Sequence, residues 1–407
     1  MRIGIDCRTI LNPGKGEQAG VGHYTYYLVR KLLKYDKVNQ YVLFFDYRVT
    51  NTKEFKQKNA EIKYFPFSEY KKFLPFSYSH MLISAFLSRN KLDIYHSPAN
   101  VIPYTFKGNS IITVHDLAIY KHPEWFPRGQ QFSTKILVPK SLKKVRKIIA
   151  VSETTKKDII KLFKISAKKV KVIYEGVFRE KAKVSLQTLK RKHRITDDYI
   201  LFLGTIEPRK NLVGLIQAYA EVIKSKKFAR YQLVMAGAKG WKEKEVFKTI
   251  RKLKLEDRVR YLGYVSHEDK LSLIANCTVF VFPSYYEGFG LPILEAMEMG
   301  APVITSNLSS IPEITDHAAV HINPYKEKEI LQALKKVLGS AVLRRKLRQA
   351  GMKKAKEFSW QKTAKQTMAV YREVGREITA EAKAKEAAKK KKKNKKSTKG
   401  GSASGGK

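Results

Sequence analysis

Short apolar runs separated by amphipathic segments are the feature that most constrains the fold of this chain. In the first half, such runs lie at residues 2–6, 41–46, 92–97, 110–116, 147–152 and 170–176. In the second half, they lie at residues 199–204, 231–237, 258–263, 278–283, 301–305 and 318–322. Near-continuous apolar strands that alternate with helices are typical of parallel sheets covered on both faces. The pattern therefore predicts an α/β fold of two doubly wound, Rossmann-like domains.

The chain is long enough for two such domains, each with its own core. It has 407 residues, of which 43% are hydrophobic, and this exceeds the usual size of one domain. We expect a first domain at 1–180, a second at 181–357, a C-terminal helix at 358–379 that packs back on the first domain, and a tail at 380–407. The domains should join within the polar stretch 177–198. Right-handed crossovers then place the loops after the strands on one edge of each sheet, where a cleft between the domains can form.

The net charge of +45 is extreme, and +9 of it comes from the eleven lysines and two glutamates of residues 380–407. A field of this size attracts polyanions such as nucleic acid, anionic lipid headgroups or phosphorylated ligands, and its sign does not choose among them. A chain adapted to an unusual intracellular ionic environment, or one that is simply lysine-biased, is at least as good an explanation. Because residues 380–407 lack the apolar side chains for a core, the sequence predicts a disordered, lysine-rich tail there.

The sequence shows neither a membrane span nor a secretory signal. Its longest apolar runs are strand-sized, far below the roughly 18 residues of a spanning helix, and it opens directly on the strand at 2–6. Cys7 and Cys277 lie inside apolar segments of separate halves, so we expect buried, reduced thiols. These features predict a cytoplasmic protein.

The segment SYYEGFGLPILEAMEMGAPVITSN, at 284–307, holds Glu287 and Glu295 around a glycine turn. A helix should begin at Leu291, because the proline that follows suits a first helical turn. Glu295 then lies about one turn inside this helix, and Glu287 lies just before it. The N–H groups at that end attract phosphate, whereas carboxylates accept hydrogen bonds from sugar hydroxyls. A nucleotide sugar has this layout of ribose, diphosphate and hexose; an ordinary helix start is the alternative.

Five segments, in this order along the chain, resemble the family 4 retaining glycosyltransferases, whose GT-B fold has two facing Rossmann-like domains. They are AGVGHYTYYL (19–28), ITVHDLA (112–118), LFLGTIEPRKNL (201–212), GYVSHEDKLSLIANC (263–277) and SYYEGFGLPILEAM (284–297). The resemblance covers residues 1–375, and the ordered set is far more specific than any one motif. EPRKN and SYYEGFGLPILEAM look most like mannosyltransferases that use GDP-mannose, ahead of enzymes that use other GDP, UDP or dTDP sugars.

The resemblance implies a role for each matching residue. The nucleotide sugar would lie mainly on the second domain, with its base against the turn at 263–265 and its ribose on Glu295. The catalytic residues would be His115, Arg209, Lys210 and Glu287. The donor-binding residues would be Gly20, Gly22, Tyr264, Val265, Gly288, Phe289, Gly290, Leu291 and Glu295.

Several of these residues also have a plainer explanation. Arg209 and Lys210 can neutralise a leaving diphosphate, but without the resemblance they would be an ordinary solvated pair in a chain with 81 basic residues. His115 is expected to contact the transferred sugar from across the cleft, although a lone histidine is more often a core residue bonded to backbone. We expect Glu207 and Asp116 to brace their loops. His23 stands where relatives often carry Arg, so a side-chain contact to phosphate is in doubt there.

The sequence predicts a transferase that needs no metal or other cofactor. It contains no Asp-x-Asp motif, no His/Cys cluster with ligand spacing and no P-loop, and two cations with a helix end can take the place of a divalent ion. By the resemblance, attack from the same face retains the anomeric configuration, and the leaving phosphate helps to remove the acceptor proton. The acceptor is expected to be a hydroxyl of a glycan or of a lipid-linked molecule.

A basic, partly amphipathic belt occupies residues 135–152 and the lysines of 156–171. With the lysine-rich tail, it predicts peripheral binding to anionic lipid on the inner face of the plasma membrane, and a solvated helix face is the equal alternative. A nucleic-acid-binding protein is a different class, but no binding motif or aromatic stacking platform accompanies the charge, so nucleic acid is not an expected partner. GT-B scaffolds also carry epimerases and phosphorylases, although the E-x7-E spacing favours a transferase.

Overall fold

Two parallel β-sheets organise the residues that the computed structural model describes, which are 1–11, 20–65 and 76–399. Among these residues the first sheet has seven strands: β1 (Arg2–Asp6), β2 (Gln40–Asp46), β3 (Ala60–Phe65), β4 (Ile94–Ser97), β5 (Ser110–Val114), β6 (Lys147–Ala150) and β7 (Val170–Val172). The second has six: β8 (Tyr199–Leu203), β9 (Gln232–Ala236), β10 (Val259–Tyr261), β11 (Val279–Phe282), β12 (Val303–Ser306) and β13 (Val320–Ile322). The strand orders are β3-β2-β1-β4-β5-β6-β7 and β10-β9-β8-β11-β12-β13, and all neighbouring pairs are parallel. The predicted architecture of two Rossmann-like sheets is confirmed.

Helices connect the strands and follow the second sheet. Those of the first half are α1 (Gly20–Tyr35), α2 (Phe76–Ser88), α3 (Ala118–Lys121), α4 (Arg128–Lys144), α5 (Glu153–Phe163) and α6 (Leu186–His193). Those of the second half are α7 (Leu212–Ile223), α8 (Lys244–Lys252), α9 (His267–Asn276), α10 (Leu291–Glu298), α11 (Ile311–Thr315), α12 (Glu327–Leu338), α13 (Ala341–Ala355) and α14 (Trp360–Lys399). Ser152 caps α5, because its Oγ accepts a hydrogen bond from the Thr155 N–H at 3.0 Å.

The winding of each sheet reverses at one point, and these points position the site. β1 and β4 are neighbours in the first sheet, and β8 and β11 are neighbours in the second. The helices on either side of such a point leave toward opposite faces, so a crevice opens at the carboxyl ends of the strands. His115 follows β5, Arg209 and Lys210 follow β8, and Glu287 follows β11. The fold therefore carries the predicted catalytic residues to neighbouring sheet edges.

α14 returns to the first sheet and packs on α1. Trp360 and Tyr371 are buried in the same core cluster as Ile3, Ile5 and Leu28, and the Trp360 ring stacks on Tyr27 with centroids 5.6 Å apart. Each buried aromatic ring removes about 150–250 Å² from water, so such a contact contributes a few kcal/mol of stability. α14 thus links the end of the second domain to the first.

The lysine-rich tail differs from its prediction of disorder. α14 continues as one helix to Lys399, its residues 380–391 are exposed, and residues 400–407 lie outside the described ranges. Ala, Glu and Lys have high helix propensity, so this sequence extends an existing helix without a core to bury. The composition correctly indicates that residues 380–391 are exposed, but it does not decide between coil and exposed helix.

Part of the basic belt pairs with α14 instead of facing solvent alone. The Lys147 Nζ lies 2.8 Å from Glu373 Oε1 and 3.0 Å from Glu377 Oε1, and Arg146 Nη2 donates to Glu381 Oε2 at 2.8 Å. The three glutamates are spaced four residues apart, so they share one face of the helix. This acidic face holds α14 on the edge of the first sheet.

Both cysteines are buried and free, in agreement with the prediction of buried thiols. None of the helices described is both long enough and apolar enough to span a membrane. In the same residues, no three His, Cys, Asp or Glu side chains come together as a set that could hold a metal ion.

Candidate active site

A cavity of about 370 Å³ lies between the two domains at the carboxyl edges of their sheets. Its first-domain wall consists of Gly20, Val21, His115, Asp116 and Glu175. Its second-domain wall consists of Leu203, Gly204, Thr205, Glu207, Arg209, Lys210, Lys270, Glu287, Gly288, Phe289, Gly290, Leu291, Pro292 and Glu295. The structure thus brings all four predicted catalytic residues to one cavity, together with six of the nine predicted donor-binding residues.

The other three predicted donor-binding residues do not line this cavity. Gly22 is buried in the first turn of α1, and Ala19, just before that helix, lies outside the described residues. Tyr264 is 65% exposed, and Val265 packs at the margin of the second core. Both follow β10, which is the edge strand of its sheet, two places from β8. The turn at 263–265 is therefore displaced from the point where the winding reverses.

Arg209 is a fixed cation that touches both domains. Its Nε donates to Glu207 Oε1 at 2.5 Å, and its Nη1 lies 3.4 Å from Asp116 Oδ2 across the cleft and 3.8 Å from Glu287 Oε2. Burial acts to lower the pKa of Arg209, but the carboxylates of Glu287, Asp116 and Glu207 raise it above its ordinary value. Glu207 and Asp116, expected only to brace their loops, therefore also position this guanidinium.

Glu287 and Lys210 form a buried ion pair. The Lys210 Nζ donates to Glu287 Oε1 at 2.6 Å, and both side chains are 8% exposed. Burial alone would raise the pKa of Glu287, but Lys210 and Arg209 lower it below its usual value, so the carboxylate is ionised. Burial lowers the pKa of Lys210, whose ammonium also lies 4.7 Å from the centre of the Phe282 ring.

Glu295 has a lysine partner of its own, which the sequence interpretation missed. The Lys270 Nζ donates to Glu295 Oε1 at 2.7 Å, and the two side chains are 6% and 13% exposed. Burial acts to raise the pKa of Glu295, but Lys270 and His23 lower it. A signal for Lys270 existed, because it shares a face of α9 with the buried Leu273 and Ile274, three and four residues on.

His115 has acceptors at both ring nitrogens. Nδ1 lies 3.2 Å from Glu175 Oε1, and Nε2 lies 2.8 Å from the carbonyl oxygen of Pro98. The Tyr24 ring meets the imidazole edge-on, at 4.7 Å between centroids. Burial acts to lower the pKa of His115, but the hydrogen bonds and charge of Glu175 and the Pro98 carbonyl raise it above its ordinary value. Nothing in the local sequence singles out Glu175 as the partner.

The turn at Gly288 to Gly290 is pressed between the domains. A Cβ at Gly288 would lie 1.7 Å from the carbonyl oxygen of His115, so only glycine fits. Gly290 has a φ of +105° and ends the turn where α10 begins, which places Glu295 one turn inside the helix, as predicted. Thr155 Oγ1, from the first domain, donates to the Gly288 carbonyl at 3.3 Å.

Further contacts close the cleft beside the cavity. The rings of Trp125, in the first domain, and Tyr285, in the second, stack with centroids 5.8 Å apart, and Tyr285 stacks in turn on Tyr325 at 4.7 Å. Glu313 accepts hydrogen bonds from the backbone N–H and the hydroxyl of Thr154, at 2.8 and 2.6 Å. The two sheets are thus held in a closed arrangement around the site.

Comparisons with known proteins agree with this architecture. The family model described as Glycosyltransferase Family 4 matches residues 19–181, and that described as Glycosyl transferases group 1 matches residues 186–354. O-antigen chain mannosyltransferase B of Escherichia coli is 33% identical over 283 residues, which cover 69% of this chain and 74% of that protein. Serotype-specific mannosyltransferase WbdA of Escherichia coli is 30% identical over 282 residues, which cover 66% of this chain but only 33% of WbdA.

Solved structures share the fold at low sequence identity. Sucrose-phosphate synthase (tll1590) from Thermosynechococcus elongatus matches with a TM-score of 0.72 at 19% identity, covering 92% of this chain and 98% of that one. HepE of Anabaena, in complex with UDP and glucose, matches with a TM-score of 0.69 at 17% identity, covering 91% and 98%. Two facing Rossmann-like sheets around a closed cleft of this kind define the GT-B fold. The chain belongs to glycosyltransferase family 4, and its sequence is similar to those of O-antigen mannosyltransferases.

Proposed function

We propose that this glycosyltransferase moves mannose from a nucleotide-diphosphate sugar, GDP-mannose being the favoured donor, to a hydroxyl of a glycan or lipid-linked acceptor. The observation that carries the proposal is the convergence of two buried lysine–carboxylate pairs and a glycine turn on one interdomain cavity. Mannose is favoured because the relatives compared above, at 33% and 30% identity, are named mannosyltransferases. Other GDP, UDP or dTDP sugars are the alternative donors.

The donor diphosphate would lie against Arg209, Lys210 and the turn before Leu291. Arg209 and Lys210 supply positive charge where negative charge grows as the diphosphate leaves, and in such sites one stabilising group contributes about 3–4 kcal/mol. Glu287 and Glu295 are ionised, so they can accept hydrogen bonds from the hydroxyls of the sugar and of the ribose, respectively. The positive charge comes from side chains, and the proposal includes no metal ion.

The reaction would retain the anomeric configuration. The acceptor oxygen forms its bond to the anomeric carbon on the face from which the diphosphate leaves, and the acceptor proton passes to an oxygen of the leaving diphosphate. This route requires no nucleophile from the protein. Closure of the cleft, held by the Arg209–Asp116 ion pair and the Trp125–Tyr285 stack, would exclude water and favour transfer over hydrolysis.

We also propose peripheral contact with an anionic membrane surface, made mainly by the exposed lysines of α14. The acidic face of α14 already engages Arg146 and Lys147, so these two cations of the belt are less available to lipid. The residues at 380–391 are exposed and include five lysines. Each basic residue near an anionic surface contributes about 1 kcal/mol to binding, so this segment can hold the protein on the membrane.

A donor panel followed by a product assay tests the enzymatic proposal. Thermal stabilisation is measured with GDP, UDP, dTDP and ADP sugars, and the donor that stabilises most is used for turnover. Lys210→Ala and Glu287→Ala should each lower turnover by about a hundredfold or more, because they remove groups that meet the diphosphate and the sugar. Lys252→Ala, at an exposed position of α8, is the matched control. Near-wild-type turnover in both site variants refutes the assignment.

A further inference from the structure

The acceptors around His115 fix the protonation of its ring. Glu175 Oε1 lies 3.2 Å from Nδ1, and the Pro98 carbonyl oxygen lies 2.8 Å from Nε2. A carbonyl oxygen never donates, so Nε2 must carry a proton to bond Pro98, and Nδ1 must carry one too wherever the Glu175 carboxylate is the acceptor. A neutral imidazole has one N–H and would leave one of these buried acceptors facing a lone pair. The geometry therefore favours the doubly protonated ring, in agreement with the raised pKa of His115.

The other groups around His115 are consistent with this. Asp116, the next residue, adds negative charge, and Tyr24 of α1 presents its ring to the imidazole. His96 on β4 is neutral, because burial, followed by the charge of His115, lowers its pKa to about 3. Glu175 is the carboxylate that contacts the ring directly, and its side chain is 8% exposed.

We propose that Glu175 is a positioning residue that holds His115 as an imidazolium at the wall of the donor cavity. Both N–H groups of the ring are engaged by the protein, so His115 acts on the donor through its charge and not through a hydrogen bond to the sugar. This positive charge adds to those of Arg209 and Lys210 in the same cavity. The consequence for transfer rests on the proposed function, whereas the protonation of His115 does not.

Glu175→Gln is the test, because glutamine keeps the size and an acceptor oxygen but loses the charge. The nine histidines are labelled with ¹³C, and His115→Gln identifies the His115 signal in NMR titrations. In the wild-type protein His115 should stay protonated above pH 6.5, and in Glu175→Gln its midpoint should fall by about one unit or more. kcat/KM should fall more steeply between pH 6 and pH 8 in Glu175→Gln than in the wild type, each profile following the titration of its own His115. Glu256→Gln, at an exposed position, serves as the control.

The NMR titration and the kinetic measurement distinguish a failure of this inference from a failure of the proposed function. A wild-type His115 that is neutral at pH 7, or equal midpoints in the wild type and Glu175→Gln, overturns the proposal without any substrate. The wild-type titration decides this even where Glu175→Gln does not fold. If the midpoints shift as expected but no nucleotide sugar is turned over by the wild type, then the proposed function fails and the inference about Glu175 stands. If kcat/KM of the variant does not follow the shifted midpoint, the charge of His115 has no part in transfer.

Discussion

Replacing Gly288 with alanine tests whether the closed arrangement of the two domains is the one in which transfer occurs. The added Cβ would lie 1.7 Å from the carbonyl oxygen of His115 and 2.8 Å from the Cβ of Asp116, both across the cleft. Gly288 is not among the glycines with positive φ, so alanine is compatible with the local backbone. The strain would therefore arise between the domains and not within the turn.

The size of the displacement follows from this contact. Real Cβ contacts shorter than 3.0 Å essentially do not occur, so a 1.7 Å approach must open by about 1.3 Å or more. The opposing atom belongs to the backbone, so a change of rotamer cannot relieve the contact. A misplacement of about 1 Å in the reacting groups can reduce the rate about a hundredfold. Because Arg209, Lys210 and Glu287 all belong to the second domain, nucleotide affinity should change much less than turnover.

The assay compares kcat/KM, nucleotide affinity and thermal unfolding of Gly288→Ala with those of the wild type. Gly129→Ala is the matched control, because nothing lies within 4 Å of a Cβ at that exposed position in α4. Alanine is preferred to glycine in a helix by about 1 kcal/mol, so the control should keep its activity and lose no stability. If Gly288→Ala keeps kcat/KM within about threefold of wild type, the effect is far below that of a 1 Å misplacement, and the reasoning is refuted.

Two further predictions concern the Lys270–Glu295 pair and the lysine-rich helix. Lys270→Met should lower the free energy of unfolding by about 3 kcal/mol, measured by chemical denaturation, because it leaves the buried Glu295 carboxylate without its counter-ion. A double variant that adds Glu295→Gln should regain most of this loss. An unchanged stability in Lys270→Met would contradict the pairing. In co-sedimentation at low salt, the protein should bind vesicles that contain anionic lipid and be released at high salt. Glutamine at lysines 389–391 should weaken binding roughly a hundredfold, since each lysine near the surface contributes about 1 kcal/mol. Glutamine at the exposed lysines 224, 226 and 227 serves as control, and an absence of binding at low salt discards the membrane proposal.

The sequence predicts the strands of the second sheet well because they are continuous apolar runs between amphipathic helices. All six occur within a residue or two of their predicted positions. β3 was missed in the first sheet, because the charged Glu61 and Lys63 interrupt its apolar run and β3 lies at the sheet edge, where one side faces solvent. α6 likewise falls in the stretch 177–198, which composition describes only as polar.

In the candidate site too, residues with a strong local sequence signal are predicted and residues without one are not. Arg209, Lys210, Glu287 and Glu295 lie in short segments whose strand, turn and helix signals are local, so the sequence places them correctly at sheet edges. Several of their charged partners come from distant segments, and the local sequence does not show which charge each one meets. The distant counter-ions are Asp116 for Arg209, Glu175 for His115 and Lys270 for Glu295. Which distant charge meets a buried charge is decided by packing of the two sheets, and local sequence patterns do not reveal it.

The whole chain is strongly basic, whereas the cavity has slightly more acidic than basic side chains. The groups that attract an anionic ligand over a distance therefore differ from those that bind it in the cavity. The chain carries +45, but the described wall of the cavity has five carboxylates against three lysine or arginine cations and His115. The carboxylates are Asp116, Glu175, Glu207, Glu287 and Glu295, and the cations are Arg209, Lys210 and Lys270. Even with His115 charged, the cavity is close to neutral, so it does not by itself draw in a doubly charged diphosphate.

Long-range attraction of the diphosphate must come from the basic surface, whose field is screened beyond about 8–10 Å at physiological salt. In the proposed binding mode, the diphosphate would take over the cations from the acids that hold them, and those acids would become acceptors for the sugar and ribose hydroxyls. A ligand that offers an anion and hydroxyls together satisfies both halves of each ion pair, whereas inorganic phosphate would leave the buried carboxylates unpaired.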